Sequence, residues 1–113
     1  MKLIKAYIRY RKTEEVYEAL NEAGFCCMTF VECEGTGQYS DREKVHISEK
    51  FPNTGAYRVV KLEIVIGDEH ADKVIAVIRR SARTGYEGDG IIVLSPVEEV
   101  YKVRTNEKGI LAI

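Results

Sequence analysis

Histidine and cysteine are scarce in this chain, two and three residues among 113, and neither falls into a pattern that metals use. No CxxC or HxxxH spacing is present, so a metal site has no anchor. Ser40, Ser48, Ser81 and Ser95 lack the flanks of a nucleophile elbow. The pairs Glu14/Glu15 and Glu98/Glu99 read as solvated faces rather than as an acid and a base. No catalytic residue and no metal ligand is therefore assigned. Long apolar runs are also missing: none approaches the roughly 20 residues of a membrane span. The start, Met1-Lys2-Leu3-Ile4-Lys5-Ala6, has no apolar core of a secretory signal, so a cytoplasmic location is expected. Charge of one sign is lacking as well, with 17 basic against 18 acidic residues and a net charge of -1. Nucleic-acid binding would need a basic excess to displace counterions. Cys26, Cys27 and Cys33 are odd in number, and free cysteines beside apolar residues behave as small hydrophobes. Packing is the expected role, with redox or metal chemistry as the lesser alternative.

What is present is one domain's worth of globular sequence, 45% hydrophobic and 31% charged. Residues 3–10 alternate, with Ile4, Ala6 and Ile8 on one face, as in a half-buried strand. Thr13 is expected to cap a helix carrying Val16, Ala19, Leu20 and Ala23, with Gly24 as its stop. A second strand is expected over about Phe25 to Cys33, and a third over Tyr57 to Ile66. Asp68 or Glu69 opens a second helix with the stripe Ala71, Val74, Ile75, Ile78 and Ala82. A short strand Ile91–Leu94 is expected to break at Ser95-Pro96, and Val97–Arg104 to supply a final turn and strand. The order predicts a βαββαβ ferredoxin-like α+β sandwich, with two helices on one face of a four-stranded sheet. Tyr7, Leu62 and Val65 are assigned to the other face. A second apolar face predicts that sheets pack between subunits, most simply in a small closed ring.

Between Glu34 and about Ala56 the periodicity dissolves into turn formers. Loops of that length inside a compact domain are generally functional or mobile. The stretch Arg83-Thr84-Gly85-Tyr86-Glu87-Gly88-Asp89-Gly90 has three glycines in six residues, which lets backbone amides converge on an anion. A plain helix-to-strand turn fits it equally well. Lys102 and Arg104, two apart on an expected strand, could straddle a phosphate, or simply face water. His46 and His70 read as exposed imidazoles.

The run 82–90, followed by Ser95-Pro96-Val97-Glu98-Glu99 and Val103-Arg104-Thr105, resembles the nitrogen-regulatory PII signal-transduction family. So do Met1-Lys2-Leu3-Ile4, Glu15 to Leu20, Gly24, Met28-Thr29 and Gly35-Thr36-Gly37. The similarity spans residues 1–113 as a single domain, with about one extra residue in the long loop. It implies a non-enzymatic homotrimer of ferredoxin-like subunits binding ATP or ADP, with AMP a further candidate, in clefts between neighbours. By position, a T-loop (about 36–56) would dock a protein client, a transporter or metabolic enzyme, through Tyr39, Arg42, Lys44 and His46. A B-loop (about 83–90) and a C-loop (about 102–107) would flank the nucleotide. Thr29, Glu63 and Val65 would surround the adenine. Gly35, Thr36, Gly37 and Gln38 would close over the nucleotide. Arg83, Thr84, Gly85, Gly88, Asp89 and Gly90 would hold phosphates or ribose, with Lys102 and Arg104 arriving from the neighbouring subunit.

Several positions depart from the family pattern. Ile91 replaces the lysine after the last B-loop glycine, and Lys102 stands where an arginine is usual, losing the bidentate fork. The arginine-glutamine pair at the loop base reads Gln38-Tyr39, and the usual tyrosine is missing from the middle of the loop. These differences argue against uridylylation and orthodox 2-oxoglutarate sensing, and they leave magnesium open. The chain reads as a divergent branch. A metal- or small-anion-binding trimer, for bicarbonate for example, using His46, Asp41, Glu43 or a cysteine, is the alternative. A slow phosphoanhydride hydrolase is the third reading, and no residue is positioned as its base.

Overall fold

The structure is a computed structural model, and it describes residues 1–37 and 58–113. Strand β1 spans Lys2–Arg9, helix α1 Thr13–Glu22, β2 Thr29–Glu34, β3 Arg58–Ile66, α2 Ala71–Ala82 and β4 Ile91–Pro96. The four strands form one sheet in the order β2-β3-β1-β4. All three pairings are antiparallel: Ala6 stands opposite Leu62 and Ile92, and Phe30 opposite Leu62. This is the expected βαββαβ ferredoxin-like arrangement.

Side chains alternate across a strand, and one face of the sheet supplies Ile4, Ala6, Ile8, Val60, Leu62, Ile64 and Ile66 to the core. Both helices close that face with Val16, Leu20, Val74, Val77 and Ile78, all buried. Leu62 is fully buried here, so the assignment of Leu62 to the other face is corrected: its parity is that of Val60 and Ile64. The open face carries Leu3, Tyr7, Val59 and Val65, half-buried, with Val31, Ile91 and Val93 exposed. A Lys61–Glu63 ion pair of 3.1 Å lies on the same face.

Four boundaries differ from expectation. Thr13 is the first helical residue rather than the cap; a 3-10 turn over Tyr10–Lys12 precedes it, and the Thr13 hydroxyl donates to the Tyr10 carbonyl at 2.7 Å. Strand β2 begins only at Thr29, because Gly24 (φ +95°) and the residues after it are used to reverse the chain. β4 runs on through Ser95 and Pro96, which an edge strand tolerates because proline's missing N–H can face outward. The tail forms no further strand: Tyr101 makes an isolated bridge to Lys108, and Asn106 (φ +62°) turns the chain between them.

Candidate functional site

The two ends of β1 organise the molecule. At about 3.4 Å per residue, Lys2 and Arg9 stand roughly 24 Å apart. The glycine-rich turn 83–90 sits at the Arg9 end. Arg9 Nε donates to Asp89 Oδ1 at 3.0 Å, and its Nη2 donates to the Glu87 carbonyl at 2.7 Å. Asp89 also accepts from the Thr84 hydroxyl, and at 2.9 Å from each of the Thr84 and Gly85 amides. Partial burial by itself would raise the Asp89 carboxyl. The bonds from Thr84, Gly85 and Arg9 outweigh it and hold the group well below the usual carboxylate range.

Asp89, expected to hold a ligand's phosphate or ribose, is engaged within the turn. Its carboxylate fills the first half of the turn, satisfying two amides that would otherwise form part of the anion nest. The second half remains available: the Gly88 and Gly90 amides make no hydrogen bond to any described residue. Gly88 and Gly90 have φ of +97° and +101°, a conformation glycine adopts without penalty. At Gly90 the approach of backbone to backbone is extreme, since a Cβ there would lie 1.7 Å from the Tyr7 carbonyl oxygen. Arg83 caps the end of α2, and its guanidinium lies 3.9 Å from the Cβ position of Gly85.

Gly35 follows β2 at this same end, where a Cβ would meet Val59 at 3.3 Å, and Val59 pairs with Arg9. Gly35, Thr36 and Gly37 are thus brought to the end of the sheet that holds the glycine turn. The base of the loop is fastened by Arg58, which pairs with Glu32 and lies 3.8 Å above the Tyr10 ring. Gln38, Tyr39, Arg42, Lys44 and His46 lie outside the described residues, as do Asp41 and Glu43. Among the described residues no three histidine, cysteine or carboxylate groups could together hold a metal.

The remaining predicted residues are elsewhere. Thr29 stands opposite Glu63, and Glu63 opposite Lys5, four residues along β3 from the Val59 row and so about 14 Å from it. Val65, opposite Leu3, lies farther still toward the Met1 end. The tail belongs to that end too, because the Val97 amide donates to the Met1 carbonyl at 3.1 Å. Lys102 comes close enough to Cys27 to favour its thiolate. Lys102 and Arg104 are exposed and lie in a turn closed by Lys102 and Asn106 (2.8 Å), not on one side of a strand. Within one chain, then, the amides of the glycine turn and the cations of the tail stand at opposite ends of the sheet. The residue that sequence reasoning missed is Arg9. Its only signal was a cation at the end of an otherwise ordinary strand, 80 residues from Asp89.

A family model described as "Nitrogen regulatory protein P-II" matches residues 1–107. The "Nitrogen regulatory protein P-II" of Rhizobium meliloti (strain 1021) is 41% identical over 113 residues, all of both chains. "Nitrogen regulatory protein P-II 2" of Methanothermobacter thermautotrophicus is 42% identical over 118 aligned positions, covering all of this chain and 97% of that one. "Nitrogen fixation nifHD region GlnB-like protein 1" of Methanothermobacter marburgensis is 41% identical over 111 residues, 97% of this chain and all of that one.

Proposed function

The chain belongs to the nitrogen regulatory protein P-II family, and from that premise we propose that it binds an adenine nucleotide between neighbouring copies in a homotrimer. It is a signal-transduction protein, not an enzyme. The observation that carries the proposal is the separation of the two half-sites. The amides of Gly88 and Gly90, beside Gly35–Gly37, stand at one end of the sheet. Thr29, Glu63 and Val65 lie along it, with Lys102 and Arg104 at the other end. Neither half is a nucleotide site alone. A head-to-tail ring of three copies built on their open sheet faces would set one copy's Arg9 end against its neighbour's Met1 end. That face supports such packing with Leu3, Tyr7, Val31, Val65 and Val93.

In the assembled cleft the amides of Gly88 and Gly90 receive phosphate oxygens, and Arg104 and Lys102 of the neighbour supply charge. Ile91 stands where relatives place a lysine, and it is 62% exposed, so one outer-phosphate cation is missing. The bound nucleotide changes the affinity for a client protein by differential binding. The client is a protein of nitrogen metabolism that docks through Tyr39, Arg42, Lys44 and His46.

Calorimetry of the full chain with ATP, ADP and AMP tests this. One nucleotide per chain is expected, with ATP favoured over ADP by about tenfold or less, the worth of one modest contact. Arg104→Ala should weaken binding by roughly 10- to 100-fold, since a bond to a charged group contributes about 1.5–3 kcal/mol, while light scattering still reports a trimer. No heat with any of the three, or a monomer in solution, sinks the reading.

A further inference from the structure

Cys26 and Cys27 occupy the reversal between α1 and β2. Both are exposed, and their Sγ atoms lie 3.0 Å apart. They open onto a cavity of about 440 Å³ that also includes Val65, His70 and Lys73. Lys102 favours the Cys27 thiolate, although the hydrogen bond and charge shared with Cys26 push that thiol up on balance. Thr29 follows two residues later. Thr29, Val65 and Lys102 are the residues assigned above to one half of the nucleotide cleft, so the thiol pair and that half-site share a wall. Cys33 is different: it is half-buried in β2 opposite Val59.

We propose that Cys26 and Cys27 form a thiol–disulfide exchange site whose oxidation weakens nucleotide binding at the adjoining half-site. The first part stands on the thiol geometry alone, and the second rests on the nucleotide reading. The oxidant is a low-molecular-weight disulfide such as glutathione disulfide. One cysteine thiolate attacks a glutathione sulfur, the S–S bond of that disulfide breaks, and one glutathione leaves as the thiol. The second cysteine loses its proton and attacks the protein sulfur of the mixed disulfide. The Cys26–Cys27 bond forms and the second glutathione departs. Two protein thiols have lost two electrons and two protons, and the small disulfide has gained both.

Proximity favours the second step, because the sulfurs need approach only from 3.0 Å to the covalent distance of about 2.05 Å. The ring so closed includes the peptide bond between the two cysteines, which resists leaving its plane. Closure therefore twists the backbone immediately before Met28 and Thr29. Strain of that kind makes a disulfide easy to reduce, which suits a reversible device.

The test uses the full chain carrying Cys33→Ser, treated with glutathione disulfide and mapped by proteolysis and mass spectrometry. The expected result is a 26–27 linkage that dithiothreitol reverses, with nucleotide affinity about tenfold lower in the oxidised chain, within the range of coupled sites. Cys26→Ser in the same background should stop at a glutathione adduct. A persistent adduct on the chain that keeps both cysteines, or linkage between chains, overturns the exchange site. A 26–27 linkage with unchanged affinity overturns the coupling. Failure of the reduced chain to bind any nucleotide overturns the nucleotide reading and the coupling with it, while the mapping still decides the exchange site.

Discussion

Gly90→Ala is expected to lower stability by about 4 kcal/mol, at the exceptional end for a single substitution, and the melting temperature by on the order of 15 °C. Two independent costs add at this position. With φ at +101°, an L side chain is strained whatever surrounds it. Its Cβ would also lie 1.7 Å from the Tyr7 carbonyl oxygen, and that oxygen belongs to β1, held between β3 and β4. Tyr7 cannot yield without breaking sheet pairing, and Gly90 directly precedes Ile91, which pairs with Tyr7. Two of the other positive-φ glycines make the comparison. At Gly24 (φ +95°) nothing lies within 4 Å of a Cβ, so Gly24→Ala meets only the conformational cost, about 1 kcal/mol. At Gly88 (φ +97°) a Cβ would meet the Arg9 guanidinium at 3.2 Å, the flexible end of a side chain, and an intermediate loss is expected. Urea denaturation of the three variants checks the order. Equal losses would mean that the clash at Gly90 is relieved by a local shift of the turn.

The sequence made the sheet legible for a definite reason. β1 and β3 bury one face completely, so Ile4, Ala6 and Ile8 and then Val60, Leu62, Ile64 and Ile66 recur at period two, and a one-residue slip would expose them all. The helices were legible through Val16 and Leu20, and through Val74 and Ile78. Val77 escaped the predicted stripe, although it is buried at the edge of that face. Sequence spacing failed where contacts are long-range. Three of the bonds that Asp89 accepts come from Thr84 and Gly85 within five residues, and the sequence alone does not tell that arrangement from a ligand contact. The fourth bond, from Arg9 on the adjacent strand, has no local signal at all. Lys102 and Arg104 were paired as if on a strand, yet the polar run Thr105-Asn106-Glu107 lets the chain turn back, and Lys102 then bonds Glu107 and Asn106 instead of a neighbouring strand.

Asp89 defines the other large effect. Asp89→Asn is expected to cost about 3 kcal/mol, the upper range for leaving donors unpaired, and to weaken nucleotide binding at least tenfold through collapse of the turn. The carboxylate accepts on both oxygens: Arg9 Nε and the Thr84 hydroxyl meet Oδ1, and the Thr84 and Gly85 amides meet Oδ2. An asparagine amide has one acceptor atom. In one orientation its NH2 faces two backbone N–H groups; in the other it faces the Arg9 guanidinium. Either way donor meets donor, and the charge that made these bonds strong is gone. The acid limb of stability follows from the same contacts. The folded-state carboxyl titrates below its unfolded value of about 3.9. Its contribution is therefore fully present above that value and is lost as pH falls toward the folded-state titration. The wild-type chain should lose stability between pH 4 and lower values, as measured by thermal melts, with a steeper slope than Asp89→Asn shows over the same interval. Parallel slopes would mean that other carboxylates set the acid limb and that Asp89 contributes geometry without charge. A wild-type level of nucleotide affinity in Asp89→Asn would separate the turn from the binding half-site altogether.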